Sequence, residues 1–220
     1  MIKNKMNIRL VIFDFDGTIC DTRRCIVTTM QQTQQACGLP VASEETCAST
    51  IGLPLKGCFR HIYPNLTDAE ADECADTYRR IFEANKKELV PTLFPNVADT
   101  LKWLKDNGIT MSIASSRSSK SIRDFLSGLG IIDDIAYILG AEDVTKPKPD
   151  AEPVLKTLDA LGFSADEALV VGDMPFDILM GANAGTRTCA VTYGNASRKQ
   201  LVEAGADFII DDMKEIIEFL

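Results

Sequence analysis

Asp14 and Asp16 stand two residues apart in the run DFDGT, directly after the short apolar stretch RLVIF. On an extended chain, residues two apart point to the same side, so both carboxylates face one way. Two like charges buried together repel unless a cation or a proton intervenes. Asp173, in GDMPFD, offers a third carboxylate. An oxygen-only set of a few carboxylates, waters and a substrate phosphate suits Mg²⁺, the expected cofactor. Two further polar clusters, SSR at 115–117 and KPKPD at 146–150, complete the candidate chemistry.

The elements that must position these residues read as an α/β fold. Arg9–Phe13 is a β-branched run that predicts a buried strand delivering Asp14 to a loop, with a tight turn at Gly17. From about residue 21 to 90 the pattern turns helical. Asp21 is placed to cap a first helix, Ser43 opens a second, a short third follows the Ile51–Pro54 turn to Ile62, and Thr67-Asp68-Ala69-Glu70 matches a capping box that starts a longer fourth. After the Pro91–Pro95 hinge, strand and helix alternate, with strands expected at 110–114, 137–139, 168–171, 188–191 and 207–210 and a terminal helix. That rhythm predicts a Rossmann-like parallel sheet with helices on both faces. The expected organisation is a core of residues 1–20 and 91–220 with an inserted all-helical cap of residues 21–90. All four polar clusters fall at strand C-termini or the loops beyond, the edge of an open parallel sheet where ligands bind.

Singly, each motif has an ordinary structural reading. DxDG is often a solvated turn or a calcium-loop fragment, although an EF-hand would need further oxygen ligands and a terminal Glu. Ser115 alone reads as a strand-end cap, Lys146 as a surface charge, and Asp173 as a helix cap. Their occurrence together and in order decides against these readings. DFDGT, Ser115 after a hydrophobic strand, Lys146 before Pro, and GDMPFD resemble the four motifs of the haloacid dehalogenase-like hydrolases, over nearly the whole chain. The resemblance is greatest to the subgroup of phosphoglycolate phosphatases and β-phosphoglucomutases.

That resemblance implies a role for each motif residue. Asp14 is the nucleophile; Asp16 protonates the leaving oxygen and then deprotonates the attacking water, its backbone carbonyl helping to hold the metal. Ser115 and the backbone N–H groups around Gly17, Thr18 and Ser116 bind the phosphoryl oxygens, and Lys146 balances their charge. Asp173 binds Mg²⁺ directly, with Asp177 acting through a water or from behind. Met174 departs from the small polar residue of many relatives. In the cap, Arg23, Lys56 and Arg60 are candidates for reading an anionic tail of the substrate, and His61, the one histidine, is assigned to packing or surface.

Composition narrows the partners. A net charge of −9 over 220 residues argues against broad affinity for nucleic acid or anionic membrane. The basic N-terminal run lacks an uninterrupted apolar region and a cleavage site, so no signal peptide is read, and no stretch is long enough to span a membrane. Seven cysteines without CxxC or Cys/His spacing fit reduced thiols in a cytoplasm. The expectation is a cytoplasmic monomer or homodimer acting on a small phosphorylated metabolite, with 2-phosphoglycolate first, then sugar phosphates or pyrophosphate. Phosphoryl transfer as in β-phosphoglucomutase ranks second, because Asp21–Arg24 lacks the cap histidine of such mutases. Carbon–halogen cleavage is disfavoured by Asp16, and a non-catalytic phospho-ligand binding protein is the reading from another class.

Overall fold

Strand β1 (Leu10–Phe13) is buried on every residue and lies at the centre of a six-stranded sheet. The computed structural model describes residues 7–220. Residues 1–6, which carry part of the basic N-terminal run, lie outside the described residues. The other sheet strands are β4 (Thr110–Ala114), β5 (Tyr137–Leu139), β6 (Ala168–Gly172), β7 (Arg187–Val191) and β8 (Phe208–Ile210), in the order β5-β4-β1-β6-β7-β8, all parallel.

Side chains alternate between the two faces, as the strand period requires. Val11 and Phe13 of β1 and Leu169 and Val171 of β6 join one apolar cluster, which α5 (Val97–Asp106) and α6 (Ser119–Gly128) cover with Leu101, Leu104, Ile122 and Leu126. Leu10, Ile12, Ala168 and Val170 point the other way. They pack on Val154 and Leu158 of α7 (Glu152–Leu161) and Met180 of α8 (Pro175–Asn183). A sheet buried on both faces explains why its central strands read as continuous apolar runs. Helix α9 (Arg198–Glu203) leads to β8, and the expected terminal helix is instead a 3-10 segment at Met213–Glu218.

Between β2 (Cys20–Asp21) and β3 (Thr92–Leu93) lie four helices: α1 (Arg23–Ala36), α2 (Glu44–Ala48), α3 (Leu55–Ile62) and α4 (Asp68–Glu88). They enclose an apolar cluster of their own, with Met30, Ile51 and Phe59 among its members. The Thr67/Glu70 capping box opens α4, and Ser43 Oγ accepts from Thr46 N at the start of α2. At α1 the cap position is Thr22 rather than Asp21, whose carboxylate takes only a 3.3 Å bond from Arg23 N. β2 and β3 pair antiparallel, Cys20 with Leu93 and Asp21 with Thr92, a two-stranded ribbon at the root of the insert. No helix among the described residues is long and apolar enough to cross a membrane.

Because Phe13 is fully buried beneath the residue that begins the polar loop, Phe13→Ala should cost about 3–5 kcal/mol of unfolding free energy. Urea denaturation would check it, and a loss near zero would mean that the core beneath Asp14 is not packed as described.

Candidate active site

Three strand ends meet at the C-terminal edge. β1 delivers Asp14, β4 delivers Ser115, and β6 ends at Gly172, so that Asp173 and, one helical turn later, Asp177 follow. Carboxylate oxygens of Asp14, Asp173 and Asp177 lie within 4.8 Å of one another and all three residues are buried. Burial first, and then the charges of Asp177, Asp173 and Asp16, push the Asp14 carboxyl well above its usual range in spite of nearby Lys148. Burial and Asp177 raise Asp173 to about 7, against hydrogen bonds from Asn195 and the charge of Lys148.

The cation that answers this charge is Lys148. Its buried Nζ donates to Asp14 Oδ1 and to Asp177 Oδ1, each at 2.6 Å. Burial alone would lower its pKa, but the two carboxylates outweigh that and hold it above the ordinary lysine value. Lys146, the expected charge-balancing residue, has an exposed side chain; only its backbone N–H is engaged, at Glu152 Oε2. The correction has a plain cause. In Lys146-Pro147-Lys148-Pro149 both lysines precede proline and lie on the same side of an extended chain, so nothing local separates them.

Asp16 does not join the three clustered carboxylates. Arg117 Nε donates to its Oδ1 and Oδ2 at 3.1 and 3.0 Å, and Nη2 donates to Oδ1 at 2.6 Å, a forked pair that fixes the carboxylate's direction. The guanidinium is surrounded by the rings of Phe82, Phe125 and Phe15, with centroids at 5.0, 5.2 and 5.9 Å. Phe82 belongs to α4, so the cap helps to hold the side chain that holds Asp16.

Gly17 and Thr18 both serve Asp173. The Gly17 N–H donates to Cys20 O at 2.9 Å and is thereby occupied. At φ +87° its missing side chain lets Asp173 approach, since a Cβ there would lie 2.2 Å from Asp173 Oδ2. Thr18 Oγ1 donates to Asp173 Oδ1 at 3.3 Å, and Asn195 donates its N–H and its amide to Oδ2 at 2.7 and 2.9 Å. Asp177 is engaged on both oxygens, by Lys148 and by Met174 N, which places it behind the other two. Among the described residues, Asp14 has only Oδ1 hydrogen-bonded and Asp173 Oδ1 has only the long bond from Thr18. These two residues therefore offer oxygens to a cation directly, and an all-carboxylate donor set whose members repel fits a hard divalent ion.

Ser115 and Ser116 both line the space above Asp14. Ser116 Oγ also donates to Gly52 O of the cap at 2.6 Å. Of the cap cations, Lys56 lines this cavity but is paired with Asp72. Arg60 is paired with Asp68, and Arg23 Nη1 reaches Asn195 Oδ1 at 3.4 Å; neither lines the cavity. His61 is exposed on α3. Lys148, Arg117 and Asn195 are site residues that the spacing of the motifs did not single out. Arg117 stood within SSR, while Asn195 carries no local signal.

Residues 11–191 match the family described as haloacid dehalogenase-like hydrolase. The chain belongs to the haloacid dehalogenase-like hydrolases. Among relatives, it is 35% identical over 214 residues to a Clostridium perfringens protein named "Putative pyrophosphatase PpaX", covering 97% of each chain. It is 26% identical to "Phosphoglycolate phosphatase 1" of Pseudomonas aeruginosa, across 95% of this chain and 78% of that one. A haloacid dehalogenase-like structure from Streptococcus pneumoniae superposes with a TM-score of 0.86 at 23% identity, covering 97% of this chain and 98% of that chain, a likeness of fold.

Two outcomes follow for this hydrolase site. Lys148→Ala leaves buried carboxylates uncompensated and should cost about 3–5 kcal/mol of stability. Lys146→Ala, at an exposed position, should stay within about 0.5 kcal/mol of the parent. Equal effects in paired denaturation curves would remove Lys148 from its assigned place. The second concerns pH. Asp173 has a folded value of about 7 against an ordinary 3.8, so the cation-free fold binds a proton there that the unfolded chain releases, and stability falls as pH rises through that window. A divalent ion competes with that proton, so the rise in Tm produced by Mg²⁺ should be larger at about pH 8 than at about pH 5.5. A shift independent of pH would show that Asp173 is not a ligand.

Proposed function

We propose that this chain is a Mg²⁺-dependent phosphatase of small phosphate monoesters that works through an aspartyl-phosphate on Asp14. The observation that carries this reading is the Asp14 carboxylate, anchored by Lys148 through one oxygen, lying beside Asp173 at the floor of a cavity also lined by Asp16 and Ser115. Asp14 and Asp173 would hold the cation, with Asp177 behind them, and the ion would neutralise phosphoryl charge so that a carboxylate can approach phosphorus.

The rest of the work falls to the chain. Lys148 holds Asp14 Oδ1 in place and offsets charge at the floor of the site. Attack by Asp14 on phosphorus breaks the bond to the leaving oxygen, which takes a proton from Asp16; water then attacks the aspartyl-phosphate, giving its proton to Asp16 and releasing phosphate. Both Asp16 oxygens are engaged by Arg117, so proton transfer requires at least one of those bonds to open. Seating of the cap, through Ser116 to Gly52 and Phe82 over Arg117, limits bulk water around the intermediate.

Pyrophosphate is a second substrate reading, favoured by the name of the 35% identical relative; 2-phosphoglycolate is supported by the name of the more distant one. The mutase reading stays behind both, because the chain's one histidine lies on the exposed face of α3 and does not line the cavity.

Phosphate release, with and without Mg²⁺, from a panel of sugar phosphates, 2-phosphoglycolate, nucleotides and pyrophosphate tests the proposal. Turnover should require the metal and disappear in Asp14→Asn. Arg117→Ala should retain substrate binding while kcat falls by about tenfold or more, part of the 10²–10⁴ that a positioned acid/base supplies. Undiminished activity in Asp14→Asn would refute the covalent route.

A further inference from the structure

The cavity above Asp14 has a volume of about 790 Å³, far more than a phosphoryl group fills, and its two ends differ in chemistry. The core side presents Asp14, Asp16 and Ser115. The cap side presents Ile26, Met30, Ile51, Leu53, Tyr78 and Phe82. With Asp14 attacking phosphorus from the floor, in-line displacement directs the leaving group away from Asp14, toward this apolar side.

Charge on the walls points the same way. Three cations line the cavity, Lys56, Arg79 and Arg117, and each already has a carboxylate: Asp72 for Lys56, Asp76 at 2.5 Å for Arg79, and Asp16 at 2.6 Å for Arg117. Lys148 is committed to Asp14 and Asp177. Glu83 and Glu142 also line the space and add negative charge. A second anionic group on the substrate, whether a carboxylate or another phosphate, would therefore be desolvated against apolar side chains with no unpaired cation among the described residues that line the cavity, which is costly. The Tyr78 hydroxyl makes no hydrogen bond among the described residues, which leaves it as a donor for one neutral oxygen beside the apolar side chains of Ile51, Leu53 and Phe82.

We infer that the substrate is a phosphate monoester of an uncharged alcohol with an apolar body, alkyl or aryl, whose leaving group lies between the Ile51–Leu53 turn and α4. This rests on the phosphatase reading and adds to it the class of leaving group. The expected anion-reading role of Arg23, Lys56 and Arg60 is thereby replaced: selection is by burial of apolar surface, for which Leu53 and Tyr78 are the specificity side chains.

The test is a homologous series of n-alkyl phosphates, from methyl to hexyl, with the full chain and Mg²⁺, beside 2-phosphoglycolate and pyrophosphate. Leaving-group basicity barely changes along the series, so the trend in KM reads burial. KM should fall by about fourfold for each added methylene until the wall is covered, Leu53→Ser should flatten the trend, and hexyl phosphate should exceed both anionic substrates in kcat/KM. A flat or rising KM with Asp14-dependent turnover, or a preference for pyrophosphate or 2-phosphoglycolate, would overturn the inference and leave the phosphatase reading standing. Calorimetric titration with methyl- and hexylphosphonate separates the opposite failure: tighter hexylphosphonate binding without turnover of any ester upholds the apolar subsite and refutes the phosphatase.

Discussion

The site depends on one buried ammonium group. Four aspartates, Asp14, Asp16, Asp173 and Asp177, are brought to the edge of a parallel sheet, and carboxylates taken out of water at such spacing would drive the loops apart or take up protons. Lys148 joins two of them, Arg117 joins a third, and Asp173 is left with neutral donors from Thr18 and Asn195. The uncompensated residue is thus the one whose charge a cation must complete. A site arranged in this way keeps its shape before the metal arrives and still rewards its arrival, because the negative charge left over is concentrated at Asp14 and Asp173.

The close approach of these groups is a backbone achievement as much as an electrostatic one. A Cβ on Gly172 would lie 2.2 Å from Asp177 Cβ, and one on Gly194 would lie 2.3 Å from Asp173 Cβ. With Gly17, these residues let three separate loops crowd around two carboxylates. The glycines therefore define where the aspartates sit, and the cations define what their proximity costs.

Much of the fold was legible because sheet burial leaves a direct trace. LVIF and ALVV are apolar on consecutive residues and TMSIA is largely so, as strands covered on both faces must be, and the polar residues that follow each run had to emerge at one edge. Asp14, Ser115 and Asp173 were readable for that reason. Lys148 was not, since KPKP repeats the same local environment twice and only the tertiary position of Asp14 and Asp177 chooses between the two lysines. Gly17 was given a phosphate contact by the family resemblance, whereas the carbonyl that takes its N–H belongs to Cys20, a partner that appears only when the loop closes. Arg23 and Arg60 look like substrate ligands in a sequence because basic residues near a site always do; their pairing with Asn195 and Asp68 is a property of the assembled surface.

The short ribbon of β2 and β3 brings together the chain's departure from the core and its return, with Cys20 opposite Leu93 and Asp21 opposite Thr92. Everything between those strands is therefore a helical insert whose chain leaves and rejoins the core at one ribbon, with its own apolar centre. Evolution can exchange or reshape such a module without moving a single strand end that carries the chemistry. Preference for one metabolite over another and the ability to break a phosphate ester are then inherited separately, so close relatives can share the second while having diverged in the first.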